Sequence, residues 1–269
     1  MRVLDSQFGS LAYKSLGDGK EVFIIFHGFG QDQRDLLPFS KILKPEQRFL
    51  FIDIFFHGKS QWKSHENPLT KSVWAEILKS LFKREEISKF HLIGYSMGGK
   101  LSLLTYELFP ENVQSMILLA PDGIKTGLFY SISSYPAYFH SLFKQIVFKP
   151  CRFFSVVNGL SQIGLMESSI SKFVQTQMKH RSQRAQVYLT WKVFGGIQLR
   201  LGEIIRNSRK LKTPILLFTG KYDKMVTAKN LERFSSKIPH LKSHNLPVGH
   251  GGLIQATVEF LTKNKPTPN

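Results

Sequence analysis

The sequence predicts an α/β chain, with a mostly parallel central sheet, flanking helices and a helical segment inserted late in the order. Three observations lead there. Short runs of unbroken apolar residues recur, each bounded by Gly, Pro or Asp. Between them lie stretches whose apolar residues repeat at helical spacing. The alternation then stops between 124 and 212.

In chain order, residues 2–14 carry a weaker pattern and are expected to form an antiparallel hairpin at the sheet edge. The apolar runs follow at 22–26, 49–52, 90–93, 116–119 and 215–218. A strand covered by helices on both faces has no polar side, so unbroken apolarity rather than alternation indicates parallel pairing. Helices are expected at 68–82, 97–109 and 228–238, with one more after Gly252. Between 124 and 212 no clean strand appears, and Ile170, Phe173 and Val174, then Val187, Tyr188, Trp191 and Phe194, fall at helix-compatible spacing. So long an insertion exceeds a loop and reads as a helical subdomain. The expected division is a core of 1–123 and 213–269 around a subdomain of 124–212. No internal repeat appears, and only 262–269 looks frayed.

Composition narrows the class. Of 269 residues 42% are hydrophobic and 13% aromatic, enough for a buried core and against disorder. The single cysteine, Cys151, excludes an intrachain disulfide framework and a cysteine-based zinc cluster. The scattered histidines give no His-Glu-x-x-His spacing, so neither a metal nor another cofactor is expected. The N-terminus shows no apolar signal region, which makes the cytoplasm the expected location. The uncharged stretch 126–143 contains four Ser, Pro136 and His140 and is not expected to span a membrane. A formal charge of +18, from 37 Lys+Arg against 19 Asp+Glu, raises nucleic acid, anionic membrane and acidic substrate as partners. No recognition-helix, RNP or zinc-finger pattern accompanies it, so nucleic acid is not expected.

The chemistry concentrates in separated segments. Gly94-Tyr95-Ser96-Met97-Gly98-Gly99 follows an apolar run and precedes a helical stretch, a G-x-S-x-G in strand-turn-helix context. Such a turn strains the serine backbone and exposes its hydroxyl at the positive end of a helix, while Gly94 and Gly98 remove clashing Cβ atoms. His27-Gly28-Phe29-Gly30 follows the run at 22–26, where backbone N–H groups can meet an oxyanion; Met97 N–H would be the second donor. Gly220-Lys221-Tyr222-Asp223 closes the run at 215–218, and His250 sits in Val248-Gly249-His250-Gly251-Gly252 before the last helix. A serine hydroxyl needs an imidazole to take its proton, and the imidazole needs a carboxylate to fix its tautomer. Ser96, Asp223 and His250 occur in the order Ser, Asp, His. Asp122, at the end of the run at 116–119, is the alternative acid. His27 and His57 are read as loop-shaping residues, His91 as a core or edge histidine, and His240 and His244 as surface residues.

Together with Asp53-Ile54-Phe55-Phe56-His57-Gly58-Lys59-Ser60, these segments resemble the α/β-hydrolase fold family, in its cap-bearing single-domain form, from Glu21 to Phe260. Phe56 stands where the family's D-x-x-G-H-G-x-S pattern has Gly. The resemblance implies a helical cap over the nucleophile and a Ser96–His250–Asp223 triad, with Phe29 and Met97 as the oxyanion hole. It implies hydrolysis of a small to medium carboxylic ester or thioester through an acyl-enzyme. Serine at the elbow disfavours the dehalogenase and epoxide-hydrolase branches, which use Asp there.

Two other readings stay open. Tyr95 to Lys100 also resembles the elbow of the menaquinone-pathway 2-succinyl-6-hydroxycyclohexadiene-carboxylate synthase, a lyase, although that family usually has Arg where this chain has Lys100. Ring-cleavage carbon–carbon hydrolases usually place Asn before the Ser, and Tyr95 departs from that. A non-catalytic ligand-binding relative is the third reading. Residues 124–212 hold 14 Lys+Arg and two acids, a net +12, which fits an anionic substrate or lipid headgroup, or a plain solvated surface. Tyr95, Lys100, Arg181, Arg184, Lys192, Arg200 and Trp191 are the candidates for substrate contact. Aromatic residues Phe129, Tyr130, Tyr135, Tyr138, Phe139 and Phe143 are expected to pack the subdomain or line an acyl pocket. Oligomeric state is not readable.

Overall fold

The computed structural model describes residues 1–63, 67–124, 150–163, 175, 176 and 178–264. The six aromatic residues between 129 and 143, and Ile170, Phe173 and Val174, lie outside them. Nine strands form one sheet among the described residues: β1 Arg2–Asp5, β2 Gly9–Leu16, β3 Glu21–Phe26, β4 Gln47–Ile52, β5 Gln61–Trp62, β6 Phe90–Tyr95, β7 Val113–Leu119, β8 Ile215–Gly220 and β9 Leu241–Leu246. The order is β1-β2-β4-β3-β6-β7-β8-β9, with β5 paired to β2. The hairpin β1–β2 runs antiparallel at one edge, and β4-β3-β6-β7-β8-β9 is parallel throughout. All five apolar runs are strands of this sheet.

Helices cover the sheet as the apolar spacing requires. In α1, Lys71–Arg84, Trp74, Ile77, Leu78 and Leu81 recur three and four apart and are buried. Trp74 reaches α2, Met97–Leu108, where its Nε1–H donates to Thr105 Oγ1 at 3.1 Å. β9, whose sequence LKSHNL is largely polar, is an edge strand with Lys242, Ser243 and Asn245 exposed.

The chain divides into two compact units: Met1–Lys63, Lys71–Lys125 and Gln198–Asn269 in one, Ser64–Thr70 and Thr126–Ile197 in the other. The second holds α3, Pro150–Gln162, and α4, Arg181–Phe194, which buries Val187, Thr190, Val193 and Phe194 and whose Val193 carbonyl accepts from Leu69 N–H at 2.8 Å. This division differs from the expected boundaries of 124 and 212. Residues 198–212, with α5 at Leu201–Leu211, belong to the sheet unit. The physical reason is a buried carboxylate: Glu107 Oε2 accepts from Arg200 N–H at 2.8 Å, while its Oε1 pairs with Lys71 Nζ. Ile204 and Ser208 are buried, and Tyr106 Oη lies 3.0 Å from Thr213 Oγ1. Charge follows the division. The second unit has eight Lys+Arg and two Asp+Glu, a net +6, leaving +12 on the sheet unit. The positive charge is therefore not concentrated in the inserted segment.

Candidate active site

The loops after β3, β4, β6, β7, β8 and β9 all leave the C-terminal ends of parallel strands, the end where open α/β sheets place their ligands. Ser96 sits between β6 and α2 with φ 52° and ψ −115°, a conformation that L-residues rarely hold. It is over-determined by its neighbours. Ser96 N–H donates to Leu119 O at 2.9 Å, and Ser96 O accepts from Gly99 N–H and Asp122 N–H at 2.9 and 3.0 Å. A Cβ on Gly94 would lie 2.3 Å from Ser102 Oγ, and one on Gly98 would lie 2.2 Å from Phe26 O. The turn therefore closes only with glycine at both positions.

Asp223 and His250 come from the loops after β8 and β9. His250 Nδ1 is 2.6 Å from Asp223 Oδ2, and His250 Nε2 is 3.1 Å from Ser96 Oγ. The other Asp223 oxygen accepts from Met225 N–H and Val226 N–H at 2.8 and 3.0 Å, so the buried carboxylate is fixed in direction. Tyr95, 5% exposed, donates its hydroxyl to His250 O at 3.0 Å. That contact positions the histidine loop, a role beyond the substrate contact expected of Tyr95. Burial pushes the Tyr95 phenol up, with Asp223 adding to the shift, so it stays a neutral donor.

Asp122 does not contact the imidazole of His250 by hydrogen bond; its carboxylate turns to Gly123 N–H. Burial raises its pKa, opposed first by Lys100 and then by the Gly123 N–H. Lys100 lies one helical turn beyond Ser96, half-buried, its pKa lowered by burial and supported by Asp122.

In the loop after β3 the backbone donors on either side of Phe29 are engaged. Gly28 N–H donates to Gln31 Oε1 at 3.0 Å and Gly30 N–H to His57 Nε2 at 3.0 Å. Phe29 N–H and Met97 N–H have no hydrogen-bond partner among the described residues. Two buried imidazoles hold this arrangement. His27 Nδ1–H donates to Gly28 O at 2.7 Å while Nε2 accepts from Ile54 N–H at 2.9 Å. His57 Nδ1–H donates to Phe55 O at 3.1 Å. Burial lowers both to about 4, so both are neutral braces. Asp53, fully buried, accepts from Gln33 N–H and Lys59 N–H at 2.8 and 3.0 Å. Phe56 holds φ 68°, the left-handed conformation for which glycine is better suited.

Arg181, Arg184, Lys192 and Trp191 belong to the second unit. Arg181 is exposed and Trp191 half-buried, whereas Arg184 is buried with Nη1 donating to Met178 O and Lys179 O at 2.9 and 3.0 Å. Arg184 thus shapes its own helix start. Arg200 is an exposed residue of the sheet unit whose N–H caps Glu107. Among the described residues no cluster of three His, Cys, Asp or Glu side chains stands together as metal ligands. No described helix is long and apolar enough to cross a membrane.

Residues 21–257 match the family model for the alpha/beta hydrolase fold. The chain belongs to that family. A 2-hydroxy-6-oxononadienedioate/2-hydroxy-6-oxononatrienedioate hydrolase of Escherichia coli (strain K12) is 32% identical over 112 residues, 40% of this chain and 38% of that protein. A Bacillus subtilis (strain 168) protein, provisionally named 2-succinyl-6-hydroxy-2,4-cyclohexadiene-1-carboxylate synthase, is 27% identical over 110 residues, 40% of each. The chain's matches thus span two-fifths or less of its curated relatives. The naproxen esterase structure from Bacillus subtilis superposes with a TM-score of 0.65 at 20% identity, covering 97% of this chain and 88% of that one. At that identity the likeness concerns the α/β-hydrolase fold.

Proposed function

We propose that this α/β hydrolase is a serine hydrolase that cleaves a carboxylic ester or thioester of a small to medium acyl compound through an acyl-enzyme. The observation that carries the reading is the continuous relay from Asp223 through His250 to Ser96 Oγ, and it is supported by the N–H groups of Phe29 and Met97, which have no hydrogen-bond partner among the described residues. Asp223 accepts from Nδ1–H and so leaves Nε2 of His250 as the base. Nε2 takes the Ser96 proton as Oγ attacks the acyl carbonyl, and the carbonyl oxygen, now negative, receives Phe29 N–H and Met97 N–H. Each such donor is worth about 10²-fold or more in rate. The protonated imidazole returns its proton to the leaving oxygen or sulfur. A water then loses a proton to the same Nε2, attacks the acyl carbon and releases the acid, restoring Ser96.

Turnover of short and medium aryl esters and aryl thioesters by the wild type and by Ser96→Ala tests this. Turnover confined to the wild type supports it. An active Ser96→Ala contradicts it.

One observation favours a second reading. The Lys100 ammonium, one turn from Ser96, offers a cation to a substrate carboxylate, as a lyase acting on a polyanion would need. Lysine cannot grip a carboxylate in the two-pronged way of arginine, which keeps the hydrolase reading first. Pyruvate release from a 2-succinyl-cyclohexadiene substrate without ester turnover would reverse that order. Tight ligand binding with neither activity would favour a non-catalytic ligand-binding protein.

A further inference from the structure

Within the sheet unit one group of basic residues lies at the end of β8 and β9 opposite to Asp223 and His250. Residues 204–215 and 235–243, which lead into β8 and β9, contain six Lys and Arg and neither Asp nor Glu. Five of them, Arg209, Lys210, Lys212, Lys237 and Lys242, are exposed and make no ion pair or side-chain hydrogen bond among the described residues. The fold brings them to one corner. His240 Nε2 lies 2.9 Å from Thr213 O and 3.3 Å from Ser208 Oγ, fastening the end of α5 to the turn before β9. β8 and β9 then start side by side, Ile215 beside Leu241 and Leu216 beside Lys242.

Two further features mark this corner. Leu211 is 39% exposed between Lys210 and Lys212. Lys212 ends α5 with φ 53° and ψ 34°, a left-handed cap that glycine adopts freely and a side-chain-bearing residue does not. The chain therefore keeps a cation at a position where helix ends favour glycine.

We propose that this corner docks on an anionic lipid surface, with the five cations at the headgroups and Leu211 in the interface. Clustered basic residues and an apolar side chain at one site are the two ingredients of peripheral membrane attachment. A nucleic acid would use the charge but gain nothing from the leucine, and 204–215 and 235–243 contain no Phe, Tyr or Trp on which a base could stack. Asp223 and His250 follow the opposite ends of β8 and β9, about 20 Å away along six-residue strands. Docking therefore leaves Ser96 remote from the lipid and leaves the turnover of a water-soluble substrate unchanged.

Co-sedimentation with vesicles of equimolar phosphatidylglycerol and phosphatidylcholine tests this, with pure phosphatidylcholine vesicles alongside. Each basic residue near an anionic surface changes the partition coefficient about fivefold. The triple variant Arg209→Gln, Lys210→Gln, Lys212→Gln is expected to bind the anionic vesicles about 100-fold more weakly. Lys20→Gln, Lys41→Gln, Lys44→Gln removes the same charge from exposed positions elsewhere and is expected to lose less than about tenfold. Leu211→Ser is expected to lose several-fold, with unchanged circular dichroism. Equal losses in the two triple variants would overturn the proposal, as would unaltered binding by Leu211→Ser. Tighter retention on duplex DNA than on the anionic vesicles at equal salt would overturn it in favour of a nucleic acid.

Discussion

The two ends of the β8–β9 pair contrast in what the fold does with polar groups. At the C-terminal ends, polar groups are buried and directed: Asp223 is held by two backbone donors and His250, and His27, His57 and Asp53 fix the neighbouring loops. Three non-glycine residues at this end of the sheet, in the loops after β4, β6 and β7, have positive φ: Phe56, Ser96 and Ala120. At the N-terminal ends, Arg209, Lys210, Lys212, Lys237 and Lys242 are exposed and make no ion pair among the described residues, and Lys212 has positive φ. Buried polar groups are costly unless each is satisfied, so a dense set with strained backbone marks a place where geometry matters more than stability. The other end relies on number of charges rather than on direction, which suits a surface more than a small molecule.

The largest effect expected at the C-terminal end is on chemistry. Ser96→Ala should lower kcat by about 10⁴-fold or more with the fold retained, measured on aryl esters. Asp223→Asn should lower kcat by about 10³-fold or more, because the amide favours the wrong His250 tautomer. Asp122→Asn should change it less than about tenfold, since its carboxylate addresses Gly123 rather than His250. If Asp122→Asn were the more damaging of the two, the assignment of the acid would be reversed.

An acid titration sharpens the contrast in stability. His27 and His57 titrate at about 4 in the fold and near 6.5 when unfolded. Their folded pKa values are depressed, so the unfolded chain takes up protons first as pH falls. Stability is then full above pH 6.5 and declines toward pH 4, by about 1.4 kcal/mol per pH unit for each histidine. Urea midpoints compared at about pH 7.5 and about pH 5 should differ accordingly, and His57→Gln should flatten the profile. The smallest effect belongs to the other end: Lys212→Gly should raise stability by about 1 kcal/mol or less and leave kcat untouched, read from the same urea curves.

The features legible in the sequence were those with rigid local rules. The elbow around Ser96 needs glycine at 94 and 98, Asp223 closes the apolar run at 215–218, and His250 sits in a glycine-rich segment before the last helix. The five apolar strands declared themselves because both their faces are covered. β9 was not expected, since an edge strand with Lys242, Ser243 and Asn245 in solvent has no apolar run to read. The limits of the inserted unit also escaped, because α5 looks like any amphipathic helix until Glu107, distant in sequence, is seen to hold Arg200. Moving that helix to the sheet unit removes the apparent concentration of charge in the insertion. Tyr95 likewise could not be read as a positioning residue, because its partner is a backbone carbonyl 155 residues away.

Ser96, activated by His250, is proposed as the nucleophile. A fluorophosphonate probe, followed by intact mass and peptide mapping, tests it most directly. One adduct is expected, on Ser96, in the wild type and none in Ser96→Ala. An adduct that persists in Ser96→Ala, or a wild type that takes up no probe, would contradict it.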